Sequence, residues 1–239
     1  MTNPGFGRRD FLKGAVVGGA AVATTSVVTP QTAESAEAAA ANAAVPAPQG
    51  YSFFNLDEAA FVEALVDHMV PADDLTPSGT DLGIAIFIDR ALAGAWGKGD
   101  RLYMQGPWKQ GAPSQGYQLP LTPAQLYRAG ITATNAHCRK TYGKTFDALD
   151  ESQREEVLQG LSTAKIKFEQ GPPVRVFWGT LYQTVMEGMF SDPIYGGSRD
   201  KPGWKLIGFP GAIAVHRENV EKYRGKPFPN DPVGIADMS

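Results

Sequence analysis

The chain has 239 residues, with 22 Lys and Arg against 25 Asp and Glu and a formal net charge of −3. A nucleic-acid binder carries a basic excess or a basic stripe, so this balance argues against that partner class. Hydrophobic residues make up 43%, which places the chain among globular rather than disordered proteins. The single cysteine, Cys138, excludes an internal disulfide, a CxxC redox pair, an iron–sulfur cluster held by this chain alone and a CxxCH haem attachment.

The first elements in chain order form an address. Arg8 and Arg9 are followed by Asp10, Phe11, Leu12 and Lys13, and then by an apolar, glycine-containing stretch over residues 14–28. Fifteen residues fall short of the roughly 20 that span a bilayer as a helix, so the segment reads as a signal peptide and not as an anchor. Paired arginines followed by Phe-Leu-Lys, before a weakly hydrophobic run, resemble a twin-arginine (Tat) export signal carried by Arg8, Arg9, Phe11 and Leu12. An Ala-rich linker follows, with small-x-small cleavage sites at Ala36-Glu37-Ala38 and at Ala41-Asn42-Ala43. The expected organisation is a signal and linker over residues 1–48 and one domain over 49–239. Chains on this route cross the membrane folded, either because they fold fast or because they or a bound partner take up a cofactor first.

The domain reads as mostly α, an irregular arrangement of about five or six helices with long Gly/Pro/aromatic loops. Asn55 with Glu58 makes a capping box, and Leu56, Ala59, Val62, Leu65, Val66 and Met69 recur at helical spacing until Pro71 stops them. A second helix is expected from about residue 81 to 93, with Asp89 and Arg90 facing outward or pairing locally. Residues 96–120 form a long loop rich in Gly and Pro and carrying Trp96, Tyr103, Trp108 and Tyr117. Thr122-Pro123-Ala124-Gln125 opens a third helix toward Tyr142, with Gly143 as its C-terminal stop. Asp150 to Gln153 opens a fourth and Gly171-Pro172-Pro173 a fifth, the latter ending near Phe190. A short sixth helix is expected over 216–223, followed by an irregular tail. No stretch alternates like a strand and no repeat period is present.

The usual chemical signatures are absent: no GxGxxG, P-loop, GxSxG, HExxH or EF-hand pattern. His68 with Asp67, Asp73 and Asp74 is the best candidate for a metal site, although adjacent residues on a helix point to different faces. His137-Cys138 suggests a nucleophile beside its base, but helical neighbours do not face each other and cysteine is commonly a buried hydrophobe. Asp89 and Glu187 lie on separate helices, where a carboxylate pair is open. The most unusual stretch is 190–211. Its paired glycines beside Tyr195 permit close backbone approach, and Tyr195, Trp204 and Phe209 are rigid aromatics separated by turns. They read either as interface anchors or as lids over the helical core.

Four places carry a resemblance: the twin-arginine start; Val70-Pro71-Ala72-Asp73 with Phe87-Ile88-Asp89-Arg90-Ala91-Leu92-Ala93-Gly94; Gln105-Gly106-Pro107; and Asp192-Pro193-x-Tyr195-Gly196-Gly197 with the run from Gly203 to Gly211. In these the chain resembles the gluconate 2-dehydrogenase subunit 3 family, the small subunits of membrane-bound FAD-dependent sugar and sugar-acid dehydrogenases. Ser198 stands where that family leads one to expect Asn, and Gly79-Thr80 replaces a Gly-Ala pair. The resemblance implies a non-catalytic subunit that supports folding, export and stability of a large FAD-containing subunit, with a c-type cytochrome subunit taking the electrons. It implies no cofactor in this chain, with FAD and haem c held by partners, no catalytic residue to carry over and no activity alone. It also implies Tat-dependent placement in the periplasm, at the inner membrane through those partners. Tyr195, Gly196, Gly197, Trp204, Phe209 and Pro210 are the expected interface residues. An independent exported enzyme or binding module for sugars or sugar acids is the alternative.

Overall fold

A computed structural model of the chain describes residues 50–238 except 101, 110, 214 and 230. The export-signal residues Arg8, Arg9, Phe11 and Leu12 and the linker lie outside the described residues. Three helices begin at the boxes expected of them. Asn55 accepts from the backbone of Glu58 and opens α1, Leu56–Met69. Thr122 and Gln125 open α4, Pro123–Tyr142, and Asp150 and Gln153 open α5, Glu151–Ser162. In each, one side chain satisfies an orphan N–H of the first turn and a second returns the bond. The second expected helix is shorter than anticipated: α2 spans Ile84–Ala93, because Gly83 turns left-handed at its start. The one-turn helix α3, Ala95–Lys98, was expected as loop.

The helix α6, Val174–Phe190, lies against α2, α4 and α5, and α1 packs on α2, α4 and α5 in turn. Val174, Phe177, Leu181, Val185 and Gly188 form the buried face of α6 at helical spacing. Phe61 of α1 meets Phe146 at 4.8 Å between ring centroids, and Tyr127 of α4 meets the edge of Phe177 at 6.3 Å. The Tyr127 hydroxyl, fully buried, is satisfied by Thr184. Two short helices complete the chain: α7, Pro202–Ile207, unforeseen, and α8, Arg217–Lys222, close to the expected sixth helix. Among the described residues there is no strand, only an isolated bridge between Gly211 and Val233, and no helix is long and apolar enough to cross a membrane.

Asp89 corrects the expectation that it faces outward. It is 1% exposed, and its carboxylate accepts from three successive N–H groups, of Ser52 at 2.7 Å, Phe53 at 2.8 Å and Phe54 at 2.9 Å. A segment with neither helix nor strand partners leaves such donors unpaired, and one buried carboxylate satisfies all three with charge-assisted bonds. The clamp fixes the aromatic entry segment, over which Arg128 stacks at 4.3 Å from the Phe53 ring.

Candidate functional site

The stretch after α6 is built from turns that hold one another. Asp192 accepts from the N–H of Ile194 at 3.0 Å and starts a 3-10 turn, Pro193–Tyr195. Its other oxygen accepts from the N–H of Ile235 at 2.8 Å, so the same carboxylate ties down the C-terminal tail. Lys201 and Asp237 form a second tie, and Ala212 donates to the Val233 carbonyl at 2.7 Å. The hydrogen bond from Lys201 holds the Asp237 carboxyl below its usual range. The tail, read as irregular from its prolines, is thus a strap closed over the 192–211 turns, ending in a 3-10 turn, Ile235–Met238.

The glycine pair serves the chain's own packing. A Cβ on Gly197 would stand 2.3 Å from the carbonyl oxygen of Gly188 on α6, and Gly196 adopts φ +103° beside the Arg90 guanidinium. Ser198 follows with φ +47° and is fully buried, and its hydroxyl has no hydrogen-bond partner among the described residues. Asn tolerates this left-handed conformation better than Ser, in keeping with the Asn that the resemblance leads one to expect there. Asp200 and Lys201 are also left-handed, which compresses the turn before α7.

Of the six residues expected at an interface, Gly197 and Trp204 are buried against the chain itself. Trp204 is 4% exposed, donates from Nε1 to the carbonyl of Phe190 at 2.7 Å, and meets the edge of Phe209 at 5.1 Å. It is a lid on the end of α6. Gly196 and Pro210 are half-buried. Tyr195 and Phe209 are exposed, at 57% and 43%, and Ile194, Leu206 and Ile207 stand exposed on the same turns. Trp204 therefore supports this apolar surface from beneath while Tyr195 and Phe209 present it.

The other candidate clusters resolve into structural roles. His68 pairs with Glu155 at 2.9 Å, joining α1 to α5, and that bond holds the Glu155 carboxyl below its usual range. Asp67 accepts from the N–H of Thr80, and Asp73 from those of Leu75 and Thr76. No three His, Cys, Asp or Glu side chains among the described residues are grouped to hold a metal ion. Cys138 is buried, and desolvation pushes its thiol up to about 11, which removes the thiolate a nucleophile needs. Asp89 is committed to its clamp, while Glu187 lies on the wall of an open cleft.

Two concavities stand out. The first is that cleft, about 830 Å³, between α6, Phe87 of α2 and Tyr195. The second is a groove of about 1020 Å³ along α4, closed by residues 167–171 and carrying Arg128, His137, Lys140, Lys167 and Glu169 on its walls, with Lys140 and Glu169 paired. Neither was expected from the sequence. The signal for the first was present, because Tyr182, Met186 and Phe190 recur every four residues beyond the core face of α6, which Trp178 flanks.

Compared with known proteins, residues 56–211 match the family described as gluconate 2-dehydrogenase subunit 3. Neither a curated protein nor a solved structure matches the chain.

Proposed function

The chain belongs to the gluconate 2-dehydrogenase subunit 3 family, and from that premise we propose that it is the non-catalytic small subunit of an FAD-dependent sugar or sugar-acid dehydrogenase. In this reading it supports the folding and stability of the flavoprotein subunit and carries that subunit through the Tat translocase to the periplasm. FAD resides in the large subunit, and a c-type cytochrome subunit with haem c receives the electrons and holds the complex at the inner membrane. The family's description names a subunit, which calls for partners. The observation that carries the finer reading is the apolar surface left exposed on 194–209 of a chain whose other large apolar side chains mostly lie in one core. Exposed apolar surface rimmed by turns marks a protein interface.

The test is co-expression of the flavoprotein subunit with and without this chain. We expect periplasmic dye-reducing activity to require the chain and to be lost when Arg8 and Arg9 are both replaced by Lys. Unchanged periplasmic activity without the chain would overturn the proposal. The groove along α4 favours a second reading, a binding module for small carboxylates, because Lys167 is the lysine or arginine of its lining that no ion pair among the described residues takes up, Lys140 being paired with Glu169 and Arg128 with Glu58. A thermal shift of the purified chain with gluconate that vanishes in Lys167→Ala would favour that reading over the first.

A further inference from the structure

The helix α6 is apolar on two sides. Its inner face, flanked by Trp178, is spent on the core, whereas the ridge of Tyr182, Met186 and Phe190 lines an open cleft. Tyr182 is 48% exposed, and its ring lies 6.1 Å from that of Trp178. From Tyr182 to Phe190 the ridge becomes one wall of the open cleft of about 830 Å³, with Phe87 and Tyr195 opposite.

The charges on this cleft are of one sign. Among the described residues its lining includes two carboxylates, Glu187 and Asp192, and no Lys, Arg or His; the Arg90 guanidinium lies beside Gly196, next to Tyr195, and makes no ion pair with Glu187. Asp192 is nearly buried and satisfied by the N–H groups of Ile194 and Ile235. Glu187 is exposed and accepts from the neutral amide of Gln183 at 2.7 Å, with no cation within ion-pair distance among the described residues. A purely apolar occupant would strip water from Glu187 and leave its charge unpaired, and an acidic one would be repelled. A basic occupant meets neither penalty, and the aromatic walls also favour a cation.

We propose that this cleft receives a segment of the flavoprotein subunit bearing a lysine or arginine flanked by apolar residues. The cation sits against Glu187, and the apolar neighbours lie on Tyr182, Met186 and Phe190. The inference rests on the subunit reading above and names the chemistry of the partner at that surface.

The test uses the co-expressed complex, pulled down through a tag on this chain, with retained flavoprotein read from flavin absorbance across a salt series. Glu187→Gln should weaken retention about tenfold and flatten its salt dependence, and Glu187→Lys should weaken it about a hundredfold. Tyr182→Ala should weaken it at every salt concentration. Because Glu187 is exposed, its variants should unfold like the parent when the chain is purified alone. Parent-like retention and salt dependence in Glu187→Lys would overturn the proposal and leave the subunit reading standing. A parent chain that retained no flavoprotein would overturn both. A dimer of the isolated chain broken by Glu187→Lys would assign the cleft to a second copy and overturn the partner named here.

Discussion

The helices from 55 to 190 and the turns from 191 to 238 solve the same problem in opposite ways. In the first region side chains at helical spacing meet in one core, and Phe61, Leu65, Ile88, Leu126, Phe177 and Leu181 are sealed from water. In the second region Trp204 is the only large apolar residue buried among the described residues, while Leu206, Ile207, Val215, Val220 and Met238 are exposed. Hydrogen bonds to Asp192, the Lys201–Asp237 pair and a single bridge hold it instead. Regular elements can bury their own apolar faces. A strap of short turns has too little depth to do so and leaves apolar surface exposed.

Substitutions can break or sharpen this contrast. Phe177→Ala removes a ring packed on Tyr127 and Phe168, and should cost about 4 kcal/mol in urea denaturation with one cooperative transition. Trp204→Ala should cost about 3 kcal/mol, but locally. Limited proteolysis should then nick 199–238 while the helices keep their far-ultraviolet circular dichroism. Global unfolding in step with nicking would show that the two regions are one cooperative unit.

Asp89→Ala leaves three N–H groups of the entry segment without their acceptor and should cost about 2 kcal/mol by the same denaturation. Asp89→Asn, which keeps one acceptor oxygen, should cost less. Ser198→Gly relieves a left-handed backbone and removes a buried hydroxyl with no partner, and should stabilise the chain by about 1 kcal/mol. A loss of stability there would mean that the Ser198 side chain packs productively.

The smallest effect concerns Cys138. Burial raises its folded-state value from about 9 to about 11, so the unfolded chain releases this proton first as pH rises. Its contribution to stability is full below pH 9 and is lost on the way to about pH 11. At pH 8 a disulfide reagent should label Cys138 no faster than the chain unfolds; rapid labelling of the native chain would contradict its burial.

Much of the helical region was legible from the sequence. Asn55, Thr122 and Asp150 each begin a helix with the partner three residues on, because a cap is a local bond whose two ends lie in one short stretch. Asp89 was misjudged because its donors lie more than thirty residues upstream, and helical spacing says nothing about them. The aromatic turns were recognised as unusual, but Trp204 and Phe209 could not be told apart. One lies under the surface and the other on it, a difference set by how α7 falls on the end of α6.

By itself the sequence determined the helical class, the helix starts at Asn55, Thr122 and Asp150, and the family resemblance. These follow from periodicity, caps and motifs, which act within a few residues along the chain. Only the tertiary structure decided which apolar residues remain uncovered, that Asp192 links two turns 43 residues apart, and that Glu187 stands on an aromatic cleft without an ion pair among the described residues. Burial and pairing depend on what packs from elsewhere in the chain, and no local pattern encodes that.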